Sequence, residues 1–268
     1  MRSATNRSIA SREGRLGEGL GTFARVVAAL VLSVPAWGQA SEASEGSFAI
    51  GLESGPLRFS RNDVRIPGDG GTEFDMTGLT GSEAEFLRVE ARWQIDERHG
   101  VRLVLAPLEV SGSGQLAEET GFAGETFAAG ASEGTYRFNA YKLTYRYTFA
   151  DRRRWRWGAG FTALVRDAEI RLRQGDSEAS DDDLGFVPAL HVSGDYRLGD
   201  RWSVELDFDG LAGGPGRLFD VAVKLDYELG ANWHVGGGYR TLEGGADTDE
   251  VFNFAWLNYA VLSIAYRR

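Results

Sequence analysis

His191-Val192-Ser193, with Glu205 twelve residues beyond the serine, is the stretch whose residue types could perform nucleophilic chemistry. A serine hydroxyl attacks poorly until a histidine accepts its proton and a carboxylate orients that histidine. The chain holds only three histidines and no cysteine, which restricts acid–base and metal chemistry severely. His99 falls in a polar turn, and His234 follows one. Two acidic groups, Asp181-Asp182-Asp183 and Asp247, Asp249 and Glu250, offer oxygen ligands without the regular spacing of a Ca²⁺ loop, so they read as solvated loops. Gly210 to Gly216 has the glycines of a phosphate cradle, but an alternating strand follows where such a cradle needs a helix. No metal or cofactor is expected.

The elements that must position these residues have a period of two, the mark of strands with unlike faces. Leu87, Val89, Ala91, Trp93 and Ile95 alternate with Arg88, Glu90, Arg92 and Gln94. Tyr141, Leu143, Tyr145, Tyr147 and Phe149 alternate with Lys142, Thr144, Arg146 and Thr148. Further runs are expected within 47–60, then from Val101, Trp155, Leu190, Trp202, Phe219, Trp233 and Phe252. Tyr196-Arg197-Leu198-Gly199-Asp200-Arg201-Trp202 recurs 31 positions later as Tyr227 to Trp233, a repeated hairpin turn. Four short turns, near 97, 152, 199 and 230, alternate with loops near 61–83, 112–134, 174–184, 210–216 and 243–250. The fold class is therefore all-β, an antiparallel up-and-down transmembrane β-barrel of ten strands. Eight strands follow instead if the first run and the 210–216 link are misread.

Residues 1–40 read as a signal peptide: five arginines, an apolar run from Val26 to Val34, then small residues ending at Ala40. Residues 41–268 form the barrel domain. The whole chain has 29 basic and 39 acidic residues; removing five Arg and two Glu leaves 24 and 37, a net of −13. That balance argues against nucleic acid as a partner. Beyond residue 40 no run reaches the roughly 18 apolar residues of a spanning helix.

Aromatic residues gather at the short-turn ends of the strands: Tyr147 and Trp155, Tyr196 and Trp202, Tyr227 and Trp233. They are expected to form the girdle at one membrane–water interface. The other strand face carries Arg88, Arg92, Arg146 and Arg156 in its first half and Glu205, Asp207 and Asp226 in its second, an expected charge network across the lumen. With its signal, short-turn asymmetry and girdle, the chain resembles the small outer-membrane β-barrels of Gram-negative bacteria, some of them porin-like. The resemblance implies the outer membrane, with lipid bilayer, lipopolysaccharide and the outer-membrane assembly machinery as partners. Such barrels usually end on an aromatic; here Ile264 and Tyr266 continue the outward series and Arg268 stands last.

The His-x-Ser pair with a distant Glu is similar to that of outer-membrane lipid A deacylases, with His191, Ser193 and Glu205 in the matching roles. Gly194 follows the serine where that family has Asn, and strand parity turns all three residues toward the lumen rather than the lipid. An omptin-like protease, also of ten strands, would need an Asp/His and an Asp/Asp set at the extracellular rim, where no histidine falls. The expected function is thus non-enzymatic: a mostly closed barrel with a structural or interaction role carried by exposed loops. A narrow channel or transporter for small solutes or lipid-like molecules is the alternative. In the simplest hairpin register, Ser193 lies opposite Glu205 and His191 opposite Asp207.

Overall fold

A computed structural model describes residues 46–214 and 216–268; the expected signal peptide lies outside them. The barrel staves are β1 (Phe48–Arg65), β3 (Glu83–Gln94), β4 (His99–Ala106) with β5 (Glu109–Leu116), β8 (Gly130–Asp151), β9 (Trp155–Gln174), β10 (Ser177–Arg197), β11 (Trp202–Gly213), β12 (Gly216–Glu228), β13 (Trp233–Asp247) and β14 (Phe252–Arg267). β4 and β5 are one stave, both paired to β8 and interrupted at Pro107, which has no N–H to give the ladder. Ten staves therefore form the wall, each antiparallel to its neighbours. β14 pairs with β1 from Ala49 opposite Arg267 to Arg65 opposite Phe252, and the ring closes. Closure leaves no open edge in the spanning region, where no water could satisfy one.

The outward positions form an apolar belt. Leu103, Leu143, Phe161, Leu190, Val223 and Leu262 are all exposed on the outer wall, an arrangement that only lipid accommodates. Outward polar groups near the far rim satisfy one another: Asn258 donates to Ser60 Oγ at 2.8 Å, and Trp256 Nε1 to Thr241 Oγ1 at 2.8 Å. At the short-turn end the aromatics pair across neighbouring strands. Ring centroids lie 4.1 Å apart for Trp155 and Tyr196, 4.7 Å for Trp202 and Tyr227, and 5.3 Å for Trp233 and Tyr266. Tyr147 packs against His99 at 5.4 Å. In the turn between β3 and β4, Asp96 accepts from the backbone N–H groups of Arg98 and His99 at 2.8 Å each, which holds its carboxyl below the usual range.

Several expected loops are strand. β1 runs on to Arg65. The 112–134 segment begins in β5 and ends in β8, and 174–184 is the top of a β9–β10 hairpin paired up to Gln174 opposite Ser177. Likewise β11 reaches Gly213 and β13 reaches Asp247, which shortens the 210–216 and 243–250 loops. Above the bilayer neither strand face has to be apolar, so these stretches lack the alternation that marks the belt. β8, β9 and β10 have 22, 20 and 21 residues. At roughly 3.3 Å per residue they extend about 66–73 Å, against the 9–11 residues that cross a bilayer. They stand out as a fin. β11 joins β10 only from Leu190, so residues 177–189 form a sheet edge, and Asp181, Asp182, Asp183 and Pro188 lie along it. Charges and proline on an edge discourage pairing with other chains.

The segment after β1 folds back inside the ring. It carries β2 (Phe74–Asp75) and the single turn α1 (Thr77–Thr80), and it meets the small hairpin of β6 (Thr120–Phe122) and β7 (Glu125–Phe127). Backbone bonds tie them together, from Thr72 N–H to Gly121 O at 2.9 Å and from Ala123 N–H to Ile66 O at 2.9 Å. Met76, Leu79, Phe122 and Phe127 are at most 2% exposed and pack on Phe59, Tyr136, Ile170 and Leu257 of the wall. The outer half of the lumen is thus an apolar plug. Glycines of β5 make room for it: a Cβ at Gly114 would lie 1.9 Å from Gly78 O, and one at Gly112 2.6 Å from Leu79 O. Gly114→Ala should therefore push α1 away and lower unfolding stability by about 1–3 kcal/mol, the range for overpacking. Gly199→Ala, with open space around its Cβ position, should leave stability unchanged. Urea titration followed by heat-modifiable electrophoretic mobility measures both.

Candidate functional site

Below the plug the inward side chains are charged, because parity on β1, β3, β4, β8, β11, β12 and β13 turns them into the lumen. Six cations, Arg88, Arg92, Arg102, Lys142, Lys224 and Arg240, meet six carboxylates, Glu53, Glu90, Glu205, Asp207, Asp209 and Asp220. Glu53 contacts Lys224 at 2.7 Å, Arg240 at 3.3 Å and Arg88 at 3.4 Å. Asp220 contacts Lys142 at 2.5 Å and Arg240 at 2.7 Å. Arg102 donates to Asp207, and Glu205 binds Arg267 at 2.6 Å, Lys224 at 3.2 Å and Arg92 at 3.6 Å. The layer is electrically balanced, and each charge has a partner across or along the wall, which is the condition for burying charge at all.

Asp209 is the most enclosed member. Its Oδ1 accepts from Thr162 Oγ1 at 2.7 Å and lies 2.8 Å from His191 Nδ1, while its Oδ2 takes Lys142 at 3.0 Å and Arg102 at 3.3 Å. Removing it leaves the His191 imidazole without its carboxylate and takes one of the carboxylates that hold Lys142 and Arg102. Breaking a buried pair from one side costs about 3–5 kcal/mol, whereas an exposed pair is worth less than about 1 kcal/mol. Asp209→Ala should therefore lower the unfolding free energy by several kcal/mol in a urea titration. Asp151→Ala, which removes the exposed partner of Arg156, should change it by less than about 1 kcal/mol. Equal effects would show that the lumen pairs do not act as a unit.

The sequence-derived register needs correcting. Ser193 lies opposite Asp207, His191 opposite Asp209, and Glu205 opposite Asp195. The turn after β10 is closed by Leu198 N–H to Trp202 O at 2.9 Å, with Arg197 opposite Ser203, which centres it on Asp200. Its centre falls one residue later than a turn centred on Gly199, which moves every partner by two. The repeated turn has the same geometry, with Leu229 N–H bonded to Trp233 O at 2.8 Å. His191 and Ser193 are both buried in the lumen, yet among the described residues no hydrogen bond joins them, and Glu205 is held by Lys224, Arg92 and Arg267. The carboxylate that orients His191 is Asp209, a partner the shifted register hid. Gly194 faces outward beneath the Trp157 ring, where a Cβ would come within 2.7 Å of the indole.

Arg88, Arg92, Glu205 and Asp207 sit in the charged layer. Asp226 lies lower, 2.9 Å from His234 Nδ1 and 3.4 Å from Arg267. Arg156 instead pairs with Asp151 at the short-turn rim, and Arg146 donates to Gln94 Oε1 at 2.7 Å. His191, Asp207 and Asp209 place ligand atoms within 4.8 Å of one another, a spacing that could hold a metal ion. Arg102 and Lys142 already supply the positive charge there, so the donor set does not fit a cation. Beneath the layer a cavity of about 480 Å³ opens at the short-turn end, lined by residues from Ser47 and Asp151–Arg156 up to His191 and Asp207.

No family model matches the sequence, and no curated protein matches it. Among solved structures the chain is similar to the outer membrane protease OmpT from Escherichia coli, with 11% identity, 86% of this chain and 99% of that one covered, and a TM-score of 0.53. Lower similarity extends to the attachment invasion locus protein Ail of Yersinia pestis (10% identity, 84% and 99% covered, TM-score 0.38). It extends also to Neisserial surface protein A (10%, 83% and 99%, 0.36). At these identities the likeness is one of fold. The chain has the fold and the lipid-facing belt of a Gram-negative outer-membrane β-barrel. Its histidines lie in a short turn, in the charged layer and beside Asp226, and none stands at the opposite rim.

Proposed function

We propose that the protein is a closed outer-membrane barrel with a structural and interaction role, holding the β8–β10 fin above the membrane. The observation that carries this reading is the apolar plug: Met76, Leu79, Phe122 and Phe127 fill the outer half of the lumen, and a balanced salt-bridge layer lies directly beneath. Water and ions find no continuous polar path through such a stack. Bilayer and lipopolysaccharide are the surrounding partners in this reading. Outward Arg58, Arg61, Arg65 and Arg217 put cations at the upper rim, where lipid phosphates would lie. Three of them also pair with carboxylates, Asp63, Glu73 and Glu243, and lie over aromatic rings, Arg61 and Arg217 at 5.8 and 4.5 Å from Phe254 and Arg65 at 4.6 Å from Phe252. Insertion by the outer-membrane assembly machinery belongs to the same reading, with β14 as the strand that closes against β1.

In planar bilayers the protein should show no large, steady single-channel conductance. Steady conductance in the unmodified protein would replace this reading with the narrow-channel one. As a hydrolase the site lacks a bond from Ser193 to His191, so incubation with acylated lipid A should release no fatty acid. Release that disappears in Ser193→Ala would establish the enzyme instead.

A further inference from the structure

We propose that the cavity at the short-turn end is a binding site for a small soluble oxyanion, carrying phosphate or carboxylate groups, that enters from the periplasm. The inference rests on charge, enclosure and cleared space, and it adds to the closed-barrel reading without depending on it. Nine arginines line the cavity against four carboxylates, Asp151, Asp195, Glu205 and Asp207. Arg92, Arg102, Arg156 and Arg267 are taken by carboxylates. Among the described residues, Arg146, Arg152, Arg153, Arg154 and Arg197 have none. Five guanidinium groups without a carboxylate contact surround one opening, with Asp195 the one lining carboxylate left to offset them, so they repel each other and a multiply charged anion at their focus relieves that repulsion. Their planar forks match phosphate and carboxylate oxygens two at a time.

The floor is built to hold one of these groups inward. Arg146 lies on β8 beside Gly158 and Gly160 of β9: a Cβ at Gly158 would meet the Arg146 stem at 2.8 Å, and one at Gly160 would meet Tyr145 O at 1.8 Å. The bond to Gln94 fixes the guanidinium without neutralising it. About 480 Å³ lies within the range of small-molecule sites, and the plug above makes the cavity a dead end. An anion there would be held, not conducted.

The chain contains no cysteine, so a single introduced thiol reports on the cavity. Ser203→Cys places one in the lining. Detergent-folded protein would be labelled with a charged maleimide while pyrophosphate or citrate is titrated at constant ionic strength, with chloride as the control. The expected result is saturable slowing of labelling by at least fivefold with pyrophosphate, citrate or both; the stronger of the two assigns the phosphate or the carboxylate class. Arg146→Gln should weaken that protection about tenfold. Arg153→Gln with Arg154→Gln, at exposed turn positions that leave folding intact, should weaken it severalfold. Arg217→Gln on the outer wall should leave it unchanged. No protection by either anion, protection matched by chloride, or equal protection in the double turn variant would overturn the proposal.

Discussion

Every backbone N–H and C=O at bilayer depth must find its partner within the protein, and the wall of this molecule follows from that condition. The seam between β1 and β14 satisfies it, because once Ala49 stands opposite Arg267 and Arg65 opposite Phe252 no edge faces lipid. A closed ring fixes one face of each strand to hydrocarbon and the other to a lumen. Each strand can then carry charged residues without exposing them to lipid. The single break in a stave falls at Pro107, where a main-chain donor is missing, and Asn139 Oδ1 accepts from Leu108 N–H nearby at 3.1 Å.

Inside the ring two fillings divide the work. The outer half excludes water with Phe122, Phe127, Met76 and Leu79, in a space cleared by Gly112, Gly114 and Gly134. Beneath the plug a layer of twelve charges excludes it, their attraction offsetting their loss of hydration only while they remain matched, and the cavity below that layer stays open. Neither filling is a lining for passage. The wall above the membrane answers to a different demand, since β10 beyond Leu190 loses its partner on one side and carries acids and a proline there.

The spanning part of this fold was legible because lipid and lumen impose opposite chemistry on alternate residues, as Leu87 to Ile95 and Tyr141 to Phe149 show. The fin was not, because Ser111-Gly112-Ser113-Gly114 and Asp181-Asp182-Asp183 have solvent or a glycine-cleared contact on their faces and so carry no alternation of polarity. Facing of His191 and Ser193 could be read from parity alone. Their partners could not, since a hairpin with Gly in it leaves the turn centre open by one residue, and that residue decides between Glu205 and Asp207. The plug was illegible for a plainer reason: Met76 and Leu79 sit in a Gly- and Asp-rich stretch whose inward course only the closed ring dictates.

The two signs of charge in the lumen are also unevenly divided between the halves of the chain, with Glu53 and Glu90 the acids of the first half and Lys224 and Arg240 the cations of the second. Arg88, Arg92, Arg102 and Lys142 precede the β9–β10 hairpin, and Glu205, Asp207, Asp209 and Asp220 follow it; Glu53 crosses the other way to Lys224 and Arg240. Each half alone would leave an excess of one sign on its inner surface, basic in the first half and acidic in the second, and the two excesses are complementary. The order of the sequence thus holds a docking code between halves: a sheet that stops short, or closes out of register, meets like charge instead of unlike.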